Sequence, residues 1–402
     1  MDMQLIKYID KYVGVPACIA LYAADSLSRA VGNPVRGGEW EKRKRRIYKE
    51  RRLLKKQIKG ILIIKFWGFG NIILAQPMLR AVRQAFPNAE ISFLTLESNR
   101  NLLETNSYVD EILTLRVKGL RETASELMQL AGRLRRKRFD LILDLEQFAR
   151  AATIIAYLSK AKVSIGFDTE GQFRGMLYTI PVKYNNEQHM SRTFCDIALA
   201  CGIDKCDHAL EKIAYTPNDK GFVERFISKY TAKDKKLVGM HISSGDNAPA
   251  RRWPKEKFAR LADILSRRHN CLVVFTGSPS DNALVKDCMR LMKEQAVNAA
   301  GCFSLRQLAA FIEHCKIFFS NDTGPLHMAS AMNTPTVCFF GPNTPILYGP
   351  LADKHIVFYK NLACSPCMTN YNLKTTTCKN PKCMRRITIK EVLAALKEQT
   401  FI

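Results

Sequence analysis

The sequence predicts an α/β protein made of two domains in series, each with an open, mostly parallel β-sheet. Its 402 residues, 47% of them hydrophobic, exceed what a single hydrophobic core usually organises. Short apolar runs alternate with amphipathic segments of helical spacing, a pattern typical of βαβ units. This alternation stops at a polar, irregular stretch, 204–220, and then begins again. The restart indicates a second domain of the same class.

Nine segments of the chain are predicted as strands, because each is short, apolar and bounded by turn residues. They are ILIIKF, EISFLTLE, VDEILTL, FDLILDLE and VSIGFD in the first domain, and KLVGMHISS, CLVVFTGS, KIFFSND and PTVCFFG in the second. We expect an N-terminal extension over 1–58, a first domain over 59–205, a linker over 206–235 and a second domain over 236–402.

The net charge of +25 is concentrated in two basic clusters. Residues 41–60 hold eleven Lys or Arg against two Glu, a net charge of +9, and a second cluster, RLRRKRF, occupies 133–139. Such clusters attract nucleic acid, anionic lipid headgroups or phosphorylated saccharides, although either one could also be a solvated helix face. Because each basic run holds only one aromatic residue, without the interleaved series that stacks on bases, and no nucleic-acid-binding motif is present, we do not expect nucleic acid as a partner.

The N-terminal extension bears on where the protein acts. No apolar run reaches the roughly 18 residues of a membrane-spanning helix, and no signal peptide is recognisable, so we expect a cytoplasmic protein. Thirteen scattered cysteines do not resemble a secreted disulfide framework. Apolar stretches in 3–27 beside the basic run suit a peripheral contact with an anionic membrane surface. A helical arm packed on the first domain explains the same pattern, and both interpretations stay open.

Turns at the carboxyl ends of the predicted strands are the expected ligand sites of such sheets. The first turn contains Gly68, Gly70 and Asn71. It begins like a dinucleotide fingerprint, but Ile73 occupies the place of the third glycine, which disfavours an NAD-dependent oxidoreductase. Asn71 suits either a helix N-cap or a contact to a polar ligand.

Three turns of the second domain carry chemistry suited to a diphosphate. Hydroxyls and guanidinium groups gather in the segment 241–258, and a Thr-Gly pair precedes a helix in 318–332. The turn 276–281 adds a carboxylate placed to accept a hydrogen bond from a hydroxyl. The candidate residues are Ser243, Ser244, Arg251, Arg252, Asp281, Asp322, Thr323, Gly324 and His327.

In their order along the chain, these motifs resemble glycosyltransferase family 9, the ADP-heptose:lipopolysaccharide heptosyltransferases. The resemblance covers roughly 60–390 and includes GFGNIILAQPMLRAVRQAFPNAEISFLT, ARRWPKEKFARLADIL and NDTGPLHMASAM followed by PTVCFFGPNTP. It implies a GT-B fold, in which two Rossmann-like α/β domains face each other across a cleft. The first would be the acceptor-side domain, carrying Gly68 and Gly70, and the second the nucleotide-sugar domain.

The resemblance also implies a reaction. The second-domain residues named above match the donor-binding positions, with Asp281 near the acidic residue for the nucleoside. Such enzymes are similar in being inverting and metal-independent, so no cofactor is expected for catalysis. The implied reaction moves a sugar, plausibly heptose from ADP-heptose, to a lipopolysaccharide or other cell-surface glycan precursor, an anionic acceptor.

Asn71 departs from the family pattern, which has an aspartate, the presumed base, at this position. A carboxamide cannot accept the proton at neutral pH. Another group such as Asp144 or Glu146 could be the base, or Asn71 could orient the acceptor. A third alternative is a relative that binds nucleotide sugars without catalysing transfer.

The C-terminal region contains four cysteines at suggestive spacing, Cys364, Cys367, Cys378 and Cys383. In a reducing compartment the spacing favours a structural zinc or an iron–sulfur site over disulfides. Unliganded loop cysteines are the alternative.

Overall fold

The computed structural model describes residues 10, 14–32, 58–116, 120–230, 235–245, 248–372 and 374–401. The basic run over 41–57, which belongs to the predicted membrane-contact segment, lies outside these residues. Contacts divide the chain into two compact units. The first comprises Met1–Gly68 and Ala75–His208, and the second Phe69–Leu74 and Ala209–Ile402.

Each unit contains one six-stranded sheet in which all neighbouring strands are parallel. The order in the first sheet is β3-β2-β1-β4-β5-β6, and in the second β12-β11-β10-β7-β8-β9. The strands of the first are β1 (Gly60–Ile64), β2 (Glu90–Leu96), β3 (Glu111–Leu115), β4 (Leu141–Asp144), β5 (Val163–Asp168) and β6 (Ile180–Lys183). Those of the second are β7 (Lys236–His241), β8 (Cys271–Gly277), β9 (Val297–Ala300), β10 (Ile317–Asn321), β11 (Thr336–Phe340) and β12 (His355–Tyr359).

Helices connect the strands, as parallel pairing requires. In the described part of the chain they are α1 (Gly14–Gly32), α2 (Phe69–Leu74), α3 (Gln76–Ala85), α4 (Arg100–Leu103), α5 (Leu120–Lys137), α6 (Arg150–Leu158), α7 (Met190–Ala200), α8 (Pro217–Ser228), α9 (Lys255–His269), α10 (Asn282–Met289), α11 (Leu305–His314), α12 (Gly324–Ala331), α13 (Pro345–Tyr348), α14 (Lys382–Arg385) and α15 (Ile389–Glu398). The predicted α/β class, with two parallel sheets, is confirmed.

All nine predicted strands occur, and the structure adds β6, β9 and β12. Each of these three lies at the edge of its sheet. Edge strands are half-exposed and need no continuous apolar run, and Pro181 within β6 is tolerated because an edge strand leaves some N–H positions unpaired. Strands β6 and β9 are also short, with four residues each and little apolar signal, whereas β12 has an apolar run that the sequence analysis did not include.

Helix α1 gives the described part of the N-terminal extension a fixed place, since it packs against α6 in the first unit. Contact is close at Gly14, where an added Cβ would lie 2.9 Å from Cβ of Arg150. Ile19 and Tyr22 on α1 remain 43% and 41% exposed. The extension is thus a helical arm in this region, and it keeps apolar side chains at the surface.

One disulfide joins Cys195, in α7, to Cys206, with the two Cα atoms 5.7 Å apart. The other eleven cysteines are free. This single bridge ties α7 to the segment that ends the first unit at His208.

Trp253 organises the core of the second unit. Its indole stacks on Phe339, with ring centroids 4.3 Å apart, and meets Phe258 edge-on. The indole Nε1–H donates to the carbonyl of Ile387 at 3.1 Å, so the ring is buried with its polar atom satisfied. Because Trp253 directly follows Arg251 and Arg252, this packing anchors the loop that carries them.

Candidate active site

The strand order of the second sheet brings two of the predicted segments together. Sequence neighbours β7 and β8 pair, and β10 pairs on the other side of β7, so the order reverses at the β7–β10 boundary. In open α/β sheets this switch point opens a crevice at the carboxyl ends of the strands. Ser243 and Ser244 follow β7, and Asp322 and Thr323 follow β10, so both segments lie at this crevice.

Asn321, which sequence reasoning missed, holds the two segments in place. Its Nδ2 donates to the carbonyls of Ile242 (2.9 Å) and Ser243 (3.2 Å), and its Oδ1 accepts the backbone N–H of Trp253 at 2.9 Å. The side chain is fully buried. One carboxamide therefore satisfies three buried backbone groups from loops that have no ladder partner.

Arg251 and Asp322 form a buried ion pair beside this clamp. Arg251 Nη1 donates to Asp322 Oδ2 (3.1 Å) and to its carbonyl (2.9 Å), and Asn343 Nδ2 donates to Oδ2 at 2.7 Å. Burial opposes ionisation of Asp322, but Arg251, Lys374 and the Asn343 bond outweigh it and lower the pKa. Arg251 Nη2 also reaches the carbonyl of Ser244 at 3.4 Å. The Arg251–Asp322 pair therefore holds the loop after β7 against the loop after β10.

Arg252 is bonded differently from its neighbour. Its Nη2 donates to the carbonyl of Gly245 at 3.0 Å. Gly245 has φ 73°, in the left-handed region that favours glycine, and its N–H donates to Ser243 Oγ at 3.2 Å. The two consecutive arginines therefore have different partners, since Arg251 bonds to Asp322 after β10 and Arg252 bonds to Gly245 after β7.

Asp281 lies under the Ser243 turn and is nearly buried. Oδ1 accepts the Ser243 hydroxyl, and Oδ2 accepts the Ser278 N–H (2.8 Å) and hydroxyl (2.6 Å). Burial opposes ionisation, but these bonds prevail and the pKa of Asp281 is lowered. Burial also lowers the pKa of neighbouring His241 to about 4, so His241 is neutral at pH 7. Both oxygens of Asp281 already have protein donors, which ties the turn 276–281 to Ser243.

The N-terminus of α12 is the third part of the site. Thr323 precedes the helix in extended conformation, and no side chain caps the first turn. The first-turn N–H groups of a helix attract anions, and His327 lies in the same turn, 4% exposed. Lys374 lies close enough to lower the pKa of Asp322, and its Nζ lies 3.8 Å from the ring centroid of Tyr348. Lys374 and Tyr348 were not singled out from the sequence because neither lies in a recognisable motif.

The glycine turn after β1 contacts α12 directly. A Cβ atom on Gly70 would lie 2.7 Å from Cδ2 of His327, and one on Gly324 would lie 2.2 Å from the ring of Phe69. Both positions therefore require glycine. Gly68 has φ 77°, which glycine also favours. The contacts group α2, which includes Gly70 and Asn71, with the second unit.

Asn71 is not the N-cap that one interpretation of the sequence suggested. Helix α2 begins at Phe69, so Asn71 is its third residue and lies in the first turn, half-buried. The φ of Gly68 lets the helix begin immediately after the strand-to-helix turn, two residues earlier than the sequence indicated. An asparagine at this place contributes a polar side chain next to the residues that contact α12.

The switch point of the first sheet, between β1 and β4, contains buried ion pairs. Asp144 at the end of β4 is 0% exposed, and its Oδ2 accepts bonds from Arg174 Nη2 (2.8 Å) and the Tyr178 hydroxyl. Burial raises the pKa of Asp144 to about 6, against the lowering effect of Arg174 and Tyr178. Because a general base must reach the substrate hydroxyl, a carboxylate without exposed surface is poorly placed for that role.

Glu146 is also enclosed. Its Oε2 accepts a bond from Lys65 Nζ at 2.9 Å, and its Oε1 accepts the N–H groups of Phe66 (2.7 Å) and Trp67 (2.9 Å). Glu146 and Lys65 are 3% and 1% exposed. The Glu146 carboxylate thereby closes the loop that follows β1.

The metal centre predicted at the C-terminal cysteines is not supported. Across the described residues, no group of three or more His, Cys, Asp or Glu side chains is arranged to hold a metal ion. Cys383 is buried in the core of the second unit, whereas Cys364 and Cys378 are exposed and Cys367 Sγ contacts the Thr376 hydroxyl at 3.4 Å. Cys364 and Cys367 lie close enough to Cys383 to contribute to the rise in its pKa, but the thiols differ in burial.

A sequence comparison identifies the family. The profile of glycosyltransferase family 9 (heptosyltransferase) matches residues 127–377, more than half of the chain. The chain belongs to glycosyltransferase family 9. It is a heptosyltransferase-like glycosyltransferase, as the motifs at both switch points had indicated.

Individual members of the family match over most of their length. The lipopolysaccharide core heptosyltransferase OpsX of Haemophilus influenzae is 25% identical over 296 residues, 73% of this chain and 82% of that protein. A family 9 glycosyl transferase of Veillonella parvula superposes with a TM-score of 0.72 at 26% identity, over 85% of this chain and 97% of that one. The ADP-heptose LPS heptosyltransferase II of E. coli superposes with a TM-score of 0.68 at 22% identity, over 85% of this chain and 98% of that one. These neighbours confirm the GT-B fold class.

No helix in the described ranges is long and apolar enough to cross a membrane.

We predict that Asn321→Ala lowers the free energy of unfolding by about 3 kcal/mol, because it leaves buried backbone groups without partners. Chemical denaturation of the full chain measures the change. Asn298→Ala, a half-buried asparagine in the edge strand β9 of the same sheet, is the matched control and should cost about 1 kcal/mol or less. Equal losses in the two variants would contradict the clamp.

Proposed function

We propose that this protein transfers a heptose from ADP-heptose to a lipopolysaccharide-type acceptor, with inversion at the anomeric carbon and without a metal ion. The observation that carries the proposal is the meeting of the Ser243 loop, the Asp322 segment and the α12 N-terminus at one switch point. The family membership supports the reaction class, and the names of the relatives OpsX and heptosyltransferase II support the donor and acceptor class.

The donor diphosphate binds, in this proposal, at the N-terminus of α12. The Gly324 amide, the Thr323 hydroxyl and His327 contact phosphate oxygens, and Arg252 neutralises their charge. Arg251 instead holds Asp322 and the Ser244 carbonyl, so we assign it to positioning the loops. As the sugar leaves, negative charge grows on the diphosphate, and preorganised N–H groups and a guanidinium stabilise it.

The acceptor hydroxyl oxygen bonds to the anomeric carbon as the bond from that carbon to the diphosphate oxygen breaks, and the hydroxyl proton passes to solvent water. We propose that Asn71 orients this hydroxyl, because a carboxamide donates and accepts hydrogen bonds but does not take a proton at neutral pH. Asp144 is assigned to positioning, through Arg174 and Tyr178, since it has no exposed surface. Sugar binding without turnover is the second candidate function, and it is favoured by the missing carboxylate at position 71.

Membrane contact would bring the enzyme to a lipid-linked acceptor. We propose that α1, with Ile19 and Tyr22 exposed, and the neighbouring basic run hold the protein peripherally on the cytoplasmic face of the membrane.

Co-sedimentation with vesicles that contain anionic lipid should fall at least tenfold when residues 1–58 are removed. Equal sedimentation of both forms, or none by either, would contradict this contact.

The proposed reaction is tested with ADP-heptose and a lipopolysaccharide core acceptor. We expect product with inverted anomeric configuration by NMR, at a rate unchanged by EDTA. Arg252→Ala should weaken ADP binding, measured by calorimetry, by about 10- to 100-fold, the usual effect of losing one charge-assisted hydrogen bond. Arg267→Ala, an exposed arginine in α9, is the control and should bind ADP like the wild type.

A retained configuration, or loss of activity with EDTA, would contradict the mechanism. Preference for UDP or GDP over ADP would contradict the donor. ADP-heptose binding without turnover would favour the second candidate function.

For the role of Asn71, we predict that Asn71→Ala lowers kcat at least tenfold and leaves the Kd for ADP within threefold of the wild-type value. The reason is that an orienting amide acts on the attacking hydroxyl and not on the diphosphate. Asn71→Asp keeps the shape and restores a carboxylate, so it should retain more activity than Asn71→Ala. An equal loss of ADP affinity in Asn71→Ala would place this residue on the donor side instead.

A further inference from the structure

The N-terminal arm places a carboxylate at the start of helix α6. Asp10 Oδ2 accepts the backbone N–H of Arg150 at 3.0 Å, and Oδ1 accepts that of Ala151 at 3.0 Å. Arg150 Nη1 also donates to Asp10 Oδ2 at 3.2 Å. Asp10 thus occupies the first turn of a nine-residue helix, on which no residue of the preceding loop supplies a side-chain cap.

The groups around Asp10 are those that bind oxyanions. The free N–H groups and dipole of a helix N-terminus favour negative charge, and a buried guanidinium beside them strengthens the attraction. The side chain of Arg150 is only 3% exposed, and Nε donates to the carbonyl of Gln172 at 3.3 Å. The guanidinium is therefore held in a fixed orientation toward the helix end.

Two further side chains point independently to a ligand. Arg174 is fully buried, and although its Nη2 bonds to Asp144, its Nε and Nη1 have no hydrogen-bond partner. Burial raises the pKa of Asp10, and the positive charge of Arg174 is close enough to oppose that rise. Gln147, in the loop that leads into α6, is 6% exposed and has an unpaired Nε2. Buried donors without acceptors are rare, and an absent ion or polar ligand is one of their usual causes.

The location is that of a ligand site. Helix α6 follows β4, and β4 lies beside β1 at the point where the strand order of the first sheet reverses. This is the counterpart of the switch point that carries the donor-type residues in the second sheet. The carboxylates Asp144 and Glu146 already accept hydrogen bonds from protein donors, and the unpaired donors of Arg174 and Gln147 remain available to a further anionic group.

We propose that the α6 N-terminus, with Arg150 and Gln147 and with the buried charge of Arg174 behind them, is a binding site for an oxyanion of the acceptor, a carboxylate or a phosphate ester, and that Asp10 occupies it as an internal ligand. The identification with the acceptor rests on the proposed function. The anionic group of the acceptor and the Asp10 carboxylate then compete for the same N–H groups. Substrate entry displaces the Asp10 carboxylate from them.

The Asp10 carboxylate binds these N–H groups more weakly than an incoming phosphate would. Burial raises the pKa of the Asp10 carboxyl, although the N–H groups of Arg150 and Ala151 oppose the effect. A monocarboxylate that loses hydration on docking is held less strongly than a phosphate that carries more charge and more acceptor oxygens. The 15% exposure of the Asp10 side chain shows that solvent reaches this end of the site.

Inorganic phosphate is the probe for the site itself. Calorimetric titration of the full chain, saturated with ADP, should give at least tenfold tighter phosphate binding in Asp10→Ala than in the wild type. Asp10→Asn should lie between the two, because the amide still accepts an N–H but carries no charge. Asp196→Asn changes another half-buried carboxylate of the first unit and should bind phosphate as the wild type does.

A folded Asp10→Ala variant with phosphate affinity within twofold of the wild type would overturn the site and leave Asp10 as a simple helix cap. If Asp10→Ala does not fold, Asp10→Asn decides by the same criterion. Adding Arg150→Gln to the Asp10 variant should abolish the gain, and a gain that persists would equally overturn the site.

The acceptor is tested separately by kinetics. Asp10→Ala should lower KM for the acceptor at least threefold, with kcat and KM for ADP-heptose unchanged. Tighter phosphate binding with an unchanged acceptor KM would overturn the assignment to the acceptor. Because the phosphate titration needs no turnover, failure of the proposed transferase reaction would be seen separately from failure of the site.

Discussion

The geometry of a parallel sheet is the constraint on which this structure depends. All strands of such a sheet end at the same edge, and the connecting helices leave from that edge. Where strand order reverses, two neighbouring loops turn to opposite sides and leave a crevice that only polar loop residues can line. Both units contain one such reversal, at β1–β4 and at β7–β10. The candidate functional residues lie at these two places because neighbouring loops bring their polar groups together there.

The two switch points use this geometry in different ways. In the second sheet, Asn321 and the Arg251–Asp322 pair fix the loops and leave the α12 N-terminus without a side-chain cap. In the first sheet, buried charges fill the corresponding space, with Lys65 paired to Glu146 and Arg174 to Asp144. Removing one member of such a pair typically costs about 3–5 kcal/mol, since the other charge is left buried. The first switch point is therefore rigid, and its remaining unpaired donors are held in place.

Close packing explains why glycine is required in the turn after β1. Gly70 and Gly324 let α2 and α12 approach until the Phe69 ring lies over the Gly324 Cα. This contact links the glycine turn to the donor-type residues of the second unit more closely than its position after β1 suggests. Asn71 lies in the first turn of α2, next to this helix contact. A motif that resembles a broken dinucleotide fingerprint thus acts as a helix-packing surface.

The sequence by itself determined the α/β class, the nine more apolar strands and the polar residues at the ends of β7, β8 and β10, because these depend on local periodicity and turn chemistry. The tertiary structure alone decided which strands are neighbours, since parallel pairing joins segments far apart in the chain and leaves no local pattern. That pairing order brings Asn321 onto two loops and encloses Asp144. It also brings Asp10 to Arg150, 140 residues away, a contact that no spacing in the sequence indicates. Edge strands such as β6 escaped prediction because half-exposed residues carry too little apolar signal.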